Sequence, residues 1–190
     1  MRLVLLAAGA SRRMLGRDKL MEEIDGEALL RRQARAALEA GVGPVAVTLP
    51  PDRPHRAAAL EGLALQHLMV PKAAEGMAAS LRAAALWSAG DALMIVPADM
   101  PDLTASDFVR MAKGFDGVQP VRASGQDGTP GHPVVFPAAL LEAFTSLNGD
   151  EGARTVLRAY PPRLLPLPDR HALTDLDTLQ DWVDWRARRD

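Results

Sequence analysis

Short runs of apolar residues alternate along the chain with stretches in which apolar residues recur every three to four positions. The runs predict strands at residues 2–6, 45–49, 65–70 and 92–96. The stretches predict helices at residues 29–40, 77–89 and 104–113, together with a short helix that ends near Gly62. Run 92–96 is apolar throughout, as expected of a central strand that is covered on both faces.

The pattern is less regular after residue 114. Strands are predicted at residues 118–121 and 133–136, on either side of a Gly-rich loop at 122–132. The elements predicted after them are helices near 138–145 and 151–159, an extended piece at 163–167 and a helix at about 178–188. In the last helix, Leu179, Trp182 and Val183 are expected to face inward.

This order of elements predicts an α/β fold. We expect a single domain over residues 1–190, with a mainly parallel sheet flanked by helices and an antiparallel element after residue 114. In such sheets, ligands bind beyond the carboxyl ends of the strands. A binding site is therefore expected at the loops 7–19, 71–77 and 97–103.

Composition narrows the classes of function. The chain has 22 Lys and Arg against 24 Asp and Glu, a net charge of −2, which argues against a general nucleic-acid or membrane-surface binder. It has no Cys, so disulfides, thiolate metal sites and Cys nucleophiles are excluded. The first apolar run is too short to span a bilayer and lacks the pattern of a signal peptide, so a cytoplasmic location is expected.

The loop after the first strand carries the clearest chemical signal. Residues 6–20 read LAAGASRRMLGRDKL, and small residues there let backbone N–H groups turn toward a ligand. The same few residues supply the cations Arg12, Arg13, Arg17 and Lys19. Backbone N–H donors together with several cations are what binding of a polyphosphate requires. The alternative interpretation is a turn with solvated Arg side chains. The P-loop and GxGxxG motifs are absent, which disfavours P-loop NTPases and Rossmann dehydrogenases.

This loop resembles the LAAGxSxRMGxxK signature of the MobA/MocA-like NTP transferases, which include molybdenum cofactor cytidylyl- and guanylyltransferases. Leu15 departs from it by shifting the Gly and Lys positions by one residue. The resemblance implies a Rossmann-like fold of the nucleotide-diphospho-sugar transferase type. It implies that Lys19 neutralises charge at the reacting α-phosphate. The residues implied to bind the nucleotide in this loop are Leu6, Ala7, Ala8, Gly9, Ser11, Arg13 and Lys19.

A second motif, VPADMPDL at residues 96–103, follows the predicted strand 92–96. It resembles the family's GDMPxL motif with Ala98 in place of Gly. The resemblance implies that Asp99 is the principal ligand of Mg²⁺, a hard cation that prefers oxygen. Asp102 better fits a turn or the start of a helix.

A third motif, TDLDTLQD at residues 174–181, resembles the family's DIDTPED segment. It implies that Asp177 is the second Mg²⁺ ligand, with Asp175 as its supporting or competing partner. The alternative is that both acids simply begin the last helix, where the helix dipole favours them.

Three further segments resemble the family. EGMAASL at 75–81 implies that Glu75, Gly76 and Ser80 lie beside the bound nucleotide; the alternative is an Ala-rich packing helix. GTPGHPVVF at 128–136 and GDEGAR at 149–154 resemble the cytidylyl branch. They imply that His132 and Arg154 bind the acceptor; the alternatives are a structural His and a helix cap.

The implied activity is a Mg²⁺-dependent nucleotidyl transfer in which Arg13, Lys19 and Asp99 are catalytic. CMP would pass from CTP to the phosphate of a molybdopterin-type cofactor, with release of pyrophosphate. CTP is favoured because the guanylyl branch usually has a second Gly at the position of Ala8. The alternatives are a guanylyltransferase, a transferase acting on another phosphorylated metabolite, and a non-catalytic nucleotide- or cofactor-binding protein. A transient contact with a molybdoenzyme or its chaperone also fits, whereas nucleic-acid and membrane partners are not expected.

Overall fold

The computed structural model describes residues 1–149 and 151–189, with Arg12 described by its backbone alone. The strands are β1 (Arg2–Leu6), β2 (Glu23–Ile24), β3 (Glu27–Ala28), β4 (Val45–Leu49), β5 (Gln66–Met69), β6 (Leu93–Pro97), β7 (Val121–Ser124), β8 (Pro130–Phe136) and β9 (Arg163–Pro166). The α-helices are α1 (Leu29–Glu39), α2 (Pro54–Ala59), α3 (Met77–Ser88), α4 (Ala105–Gly114), α5 (Arg154–Ala159) and α6 (Leu179–Ala187). Short 3-10 helices lie at Arg12–Met14, Lys19–Met21, Ala73–Glu75 and Ala138–Ser146.

Seven strands form one sheet in the order β5-β4-β1-β6-β8-β7-β9. The strands β5, β4, β1 and β6 are parallel, and β9 is parallel to β7. Strand β8 runs antiparallel to both β6 and β7, which is the predicted antiparallel element. The predicted α/β fold with a mainly parallel sheet is therefore confirmed.

Both faces of the sheet are covered. Helices α1, α4 and α6 contribute to one core, which includes Phe108 and Trp182. Helix α3, the 3-10 helix Ala138–Ser146 and α5 contribute to the other, in which the rings of Phe136 and Phe144 meet edge to face with centroids 5.0 Å apart. Covering on both faces explains why β1 and β6 are apolar nearly throughout. None of the helices in the described ranges combines the length and apolarity that crossing a bilayer requires.

The strand predicted at 118–121 is wrong. The side chain of Asp116 accepts hydrogen bonds from the backbone N–H groups of Val118 at 2.9 Å and Gln119 at 3.1 Å, which makes a turn there. Val118 is consequently 80% exposed. Strand β7 begins only at Val121, and β7 and β8 extend into the predicted loop 122–132.

One prediction for the last helix is also wrong. Val183 does not face inward but is 58% exposed, because Trp182 and Trp185, three residues apart, share the buried face of α6. The helix predicted from residue 151 begins at Arg154. The segment near 138–145 is helical as predicted, although its hydrogen bonding is of the 3-10 type.

Candidate active site

The site lies where β1 and β6 end side by side. Leu6 pairs with Pro97 in the parallel ladder, so the segments after both strands leave the sheet at the same edge. A third segment, residues 171–178, is tied to this edge by backbone hydrogen bonds. The Leu176 N–H donates to the carbonyl of Asp99 at 3.0 Å, and the His132 N–H donates to the carbonyl of Ala172 at 2.9 Å.

Four predicted site residues meet at this edge. Lys19 donates hydrogen bonds to the carboxylate of Asp99 and, at 2.7 Å, to Oδ1 of Asp177. The Nη2 atom of Arg13 lies 2.6 Å from Oδ2 of Asp177. Burial alone would lower the pKa of Lys19, but the two carboxylates outweigh it and raise that pKa above its ordinary value. Lys19 is therefore a fixed cation between two carboxylates.

The same carboxylates suit a divalent cation. The Oδ1 atom of Asp99 is buried and has no hydrogen-bond partner among the described residues, which is an incomplete environment for a carboxylate oxygen. Carboxylate oxygens are the ligands that Mg²⁺ prefers, and Mg²⁺ is usually held by one or two of them together with phosphate oxygens and water. The described residues contain no cluster of three or more metal-binding side chains. The site thus fits a metal that Asp99 and Asp177 share with a bound phosphate.

Asp175 lies beside this pair, and the residue as a whole is exposed although its carboxyl group is partly buried. Its pKa is raised, first by partial burial of the carboxyl group and then by the nearby charges of Asp177 and Asp99. Asp177, unlike Asp175, contacts both Lys19 and Arg13. These contacts favour Asp177 over Asp175 as the candidate for the second metal ligand.

The loop from Ala7 to Ser11 presents free backbone donors. The N–H of Ala7 donates a hydrogen bond to Oγ1 of Thr48 at 3.1 Å. The next four N–H groups, those of residues 8–11, donate to no described residue. A Cβ atom built on Gly9 would meet nothing within 4 Å, so the space above the loop is open. Such a row of unpaired amides is suited to an anion.

The side chain of Ser11 does not face this space. Its Oγ donates to Oδ1 of Asp18 at 3.2 Å, so Ser11 can offer an incoming ligand its N–H group. The inserted residue Leu15 adopts a left-handed conformation with φ 48° and is exposed. Arg17 is also exposed and lies 3.5 Å from Glu22. The predicted cation Arg12 has its side chain outside the described residues.

The segment at residues 75–80 lies next to this loop. Ala8, Val70 and Ala79 form a small buried cluster, which joins the loop to helix α3. Gly76 precedes α3 with φ 113°, a conformation that favours glycine. Glu75 pairs with Lys72 at 3.3 Å and Arg82 at 3.7 Å, whereas Ser80 is buried. The structure thus brings this segment to the loop, although Ser80 lies on the packed side of the helix.

The predicted acceptor residues His132 and Arg154 lie farther along the sheet, beside Arg122. The Nε of Arg122 donates to the carbonyl of Gly131 at 2.8 Å. Burial and then the nearby charge of Arg154 lower the pKa of Arg122. A cavity of about 320 Å³ opens here, and its lining is Arg122, Pro130, Arg154, Leu157, Arg158, Pro162 and Leu164.

His132 links this cavity to the carboxylates. Burial and then the charges of Arg122 and Arg154 lower the pKa of His132 to about 4, against an opposing effect of Asp99. His132 is therefore neutral near pH 7, and its buried Nδ1 has no partner among the described residues. The cationic cavity suits an anionic group of a second substrate.

Several residues of the site were not predicted as functional. Arg122 and Arg158 carry no motif, and only their convergence in the fold reveals them. Arg56 and Asp18 form a buried ion pair beneath the loop after β1. Asp102, expected to form a turn, accepts a hydrogen bond from Nε1 of Trp185 at 2.8 Å and so holds α6 near the site. Asp150, part of the GDEGAR motif, lies outside the described residues.

Comparison with known proteins identifies a matching family and a similar curated protein. The sequence profile described as MobA-like NTP transferase domain matches residues 3–164. A curated protein of Opitutus terrae, "Probable molybdenum cofactor guanylyltransferase", is 34% identical over 130 residues, which are 63% of this chain and 63% of that protein. The chain thus matches somewhat less than two thirds of that relative's length.

Solved structures share the fold over nearly the whole chain. Rv0371c of Mycobacterium tuberculosis H37Rv superposes with a TM-score of 0.81 and 25% identity, covering 97% of each chain. A second structure of that protein is described as a complex with manganese; it has a TM-score of 0.79 and 21% identity, and covers 96% of each chain. A nucleotidyl transferase from Methanothermobacter has a TM-score of 0.84 and 20% identity, covering 98% of this chain and 96% of the other. These likenesses confirm the predicted fold type.

Proposed function

Because the chain belongs to the family of MobA-like NTP transferase domains, we propose that it transfers a nucleotidyl group from an NTP to the phosphate of a molybdopterin-type cofactor. The observation that carries this proposal is the meeting of Lys19 and Arg13 with Asp99 and Asp177 at the sheet edge where loop 7–11 presents its free amides. The name of the Opitutus relative supports the choice of acceptor.

In the proposed reaction, an oxygen of the acceptor phosphate attacks the α-phosphorus of the NTP. The bond from the α-phosphorus to the oxygen that bridges it to the β-phosphorus breaks, and pyrophosphate leaves with the electron pair. A phosphate monoester is already ionised near neutral pH, so no Ser or Cys nucleophile is needed. The protein's task is to hold two anions together and to offset the charge on the reacting phosphoryl group.

Different residues would carry out the separate parts of this task. The amides of residues 8–11 bind the triphosphate, with Glu75, Gly76 and Ser80 on the segment beside it. Lys19 and Arg13 offset the charge at the α-phosphate. His132 and Arg154, with Arg122 and Arg158, bind the acceptor's anionic groups in the cavity beside them.

Asp99 and Asp177 would hold Mg²⁺. Bound there, the metal would supply Lewis-acid stabilisation of phosphoryl charge. Its donor set is two carboxylates, one of which has a buried oxygen without a described partner. The manganese complex of the mycobacterial protein is consistent with a divalent site on this fold.

For the nucleotide we propose CTP. Ala8 packs its methyl group against Val70 and Ala79, where the guanylyl branch usually has a second Gly. GTP is the second candidate, because the Opitutus relative is named as a guanylyltransferase. The cytoplasmic location and a transient contact with a molybdoenzyme or its chaperone stay predictions.

The test is pyrophosphate release from each of CTP, GTP, ATP and UTP, with Mg²⁺ and extracted molybdopterin cofactor. Release that requires both substrates supports the transferase, and preference for CTP supports the nucleotide assignment. Binding of an NTP without any turnover would favour a non-catalytic binding protein. Turnover with a different phosphorylated acceptor alone would reject the proposed acceptor.

A further inference from the structure

A buried arginine lies beneath the loop that follows β1. Arg56, on α2, is 0% exposed. Its guanidinium donates to the carbonyl oxygens of Ala7 at 2.5 Å and Gly9 at 2.8 Å, and to Oγ of Ser11 at 3.1 Å. A charge that is fully buried needs close partners, and most partners of Arg56 are atoms of this one loop.

Asp18 forms an ion pair with this arginine and is also contacted by Arg53 at 3.3 Å and His55 at 2.8 Å. Its two carboxylate oxygens accept from Nε of Arg56 at 2.8 Å and Nη2 of Arg56 at 2.7 Å, a bidentate pair. Burial alone would raise the pKa of Asp18, but Arg56 and His55 hold that pKa well below its usual range. Asp18 also accepts from the N–H of Leu20 at 3.2 Å, at the turn that carries Lys19. The ion pair therefore ties the start of the loop to its end.

The carbonyl contacts determine where the loop's N–H groups point. In a trans peptide, the C=O of one residue and the N–H of the next point in opposite directions. The carbonyls of Ala7 and Gly9 point toward Arg56, so the N–H groups of Ala8 and Ala10 point away from it. Arg53 donates a hydrogen bond to the carbonyl of Ala10 at 2.6 Å, so the N–H of Ser11 points away from Arg53. The only cis peptide among the described residues is His132–Pro133, so the peptide bonds of this loop are trans.

We propose that Arg56 is a positioning residue that, paired with Asp18, aims the loop amides at the phosphates of the bound NTP. This inference rests on the proposed function. Because Arg56 is fully buried and its guanidinium donates to two loop carbonyls, it acts by fixing those carbonyls. Without Arg56, those carbonyls could turn toward the ligand and repel its phosphates. A lysine cannot replace it, because one ammonium group lacks the planar set of donors that reaches two carbonyls, a hydroxyl and a carboxylate.

The test compares R56K with R31K. Arg31 is a matched control, because it also donates to two backbone carbonyls, those of Ala59 and Glu61 at 2.9 Å each, away from the loop. In R56K we expect the affinity for CTP or GTP with Mg²⁺ to fall at least about 10-fold and the nucleotide KM to rise in step, because the lost amides act in ground and transition states alike. The kcat at saturating nucleotide and the acceptor KM change by less than about threefold. R31K resembles the wild type.

A second readout needs no ligand. Backbone NMR order parameters of residues 8–11 in the ligand-free protein should fall in R56K and stay high in R31K. If the wild type binds no NTP, the proposed function fails, and these order parameters still decide whether Arg56 fixes the loop. A folded R56K with wild-type nucleotide affinity and a rigid loop overturns the inference. Should R56K not fold, D18N, which removes the negative charge and one of the two oxygens that accept from Arg56, is measured in the same way, and an unchanged loop and affinity would overturn the inference too.

Discussion

Lys19 donates a hydrogen bond to Asp99, which lies 80 residues later in the sequence, and the same ammonium group reaches Asp177. The cation is thus bonded to both carboxylates that are proposed to hold Mg²⁺. A cation bonded to one oxygen of each carboxylate lowers the negative charge that attracts a divalent ion. Lys19 and the metal are therefore expected to compete in the absence of nucleotide.

The first prediction follows from this competition. In Lys19→Met, the two carboxylates lose their main cation, and we expect the affinity for Mn²⁺ without nucleotide to rise by about 10-fold or more. Turnover should nevertheless fall by at least about 100-fold, because charge on the α-phosphate loses a stabilising group. Electron paramagnetic resonance of free Mn²⁺ and pyrophosphate release measure the two effects. Weaker Mn²⁺ binding by this variant would refute the competition.

Asp99 has the most specific predicted role. Asp99→Ala should lower turnover by at least about 100-fold at saturating substrates, the scale expected for loss of one main electrostatic stabiliser. Asp102→Asn is the control, since an Asn oxygen can still accept the hydrogen bond from Trp185. The control should retain nearly normal turnover. Near-normal activity of Asp99→Ala with Mg²⁺ would discard its assignment as a ligand.

A substitution at Gly9 is expected to change ligand binding with little effect on stability. The φ of Gly9 lies outside the left-handed region and its missing Cβ faces open space, so Gly9→Ala should change the free energy of unfolding by no more than about 0.5 kcal/mol. The added methyl group lies where a triphosphate would approach, and nucleotide affinity should fall about 10-fold or more. Denaturant unfolding and calorimetric titration with CTP test the two parts. Unchanged affinity would show that the ligand does not approach this loop.

The arginine cavity is expected to act on the acceptor alone. Arg122→Met and Arg154→Met should each raise the acceptor KM by about 10-fold, the scale of one charge-assisted hydrogen bond. The KM for the nucleotide should stay within about twofold of the wild type, because loop 7–11 binds it elsewhere. Arg110→Met, at an exposed position on α4, is the control. A selective rise in the nucleotide KM instead would reverse the assignment of the two sites.

His132 should make stability depend on pH. Its pKa is about 4 in the folded protein and 6.5 ordinarily, so between these values the unfolded chain binds more protons and stability falls as the pH is lowered. From pH 7 to pH 5, the wild type should lose about 1 to 2 kcal/mol more free energy of unfolding than His132→Gln. Urea unfolding at several pH values measures this difference. Equal losses in the two proteins would show that His132 titrates normally.

The pattern of apolar positions was sufficient for β1, β4, β5 and β6 and for the helices before residue 114, because strands covered on both faces are apolar nearly throughout. It did not predict the two-residue strands β2 and β3, which are too short to show a period. Once β1 and β6 are parallel, their carboxyl ends must share an edge, and this is how Lys19 and Asp99 could be expected to meet. Asp177 was expected there through its motif. In the structure, Asp177 contacts Arg13 and Lys19 and so lies at this edge of the sheet.

Other features depend on side-chain direction, which periodicity does not determine. Arg56 is the buried residue of a six-residue helix that otherwise looks like an exposed connection. Nothing local distinguishes it from Arg53, three residues earlier. The strand error at Val118 has a similar cause, since one side chain, Asp116, captures two backbone N–H groups and overrides the β-propensity of the valine.

Residues 171–178 lie close against β8, where Gly131 leaves room for the carbonyl of Ala172; a Cβ there would come within 1.9 Å of that oxygen. The ribosome makes the chain from its N-terminus, so β1, Lys19 and Asp99 emerge long before Asp177. A nascent chain can assemble most of the sheet and still lack its second carboxylate. The two proposed metal ligands thus come together only after this segment has been synthesised and has reached the glycine that receives it.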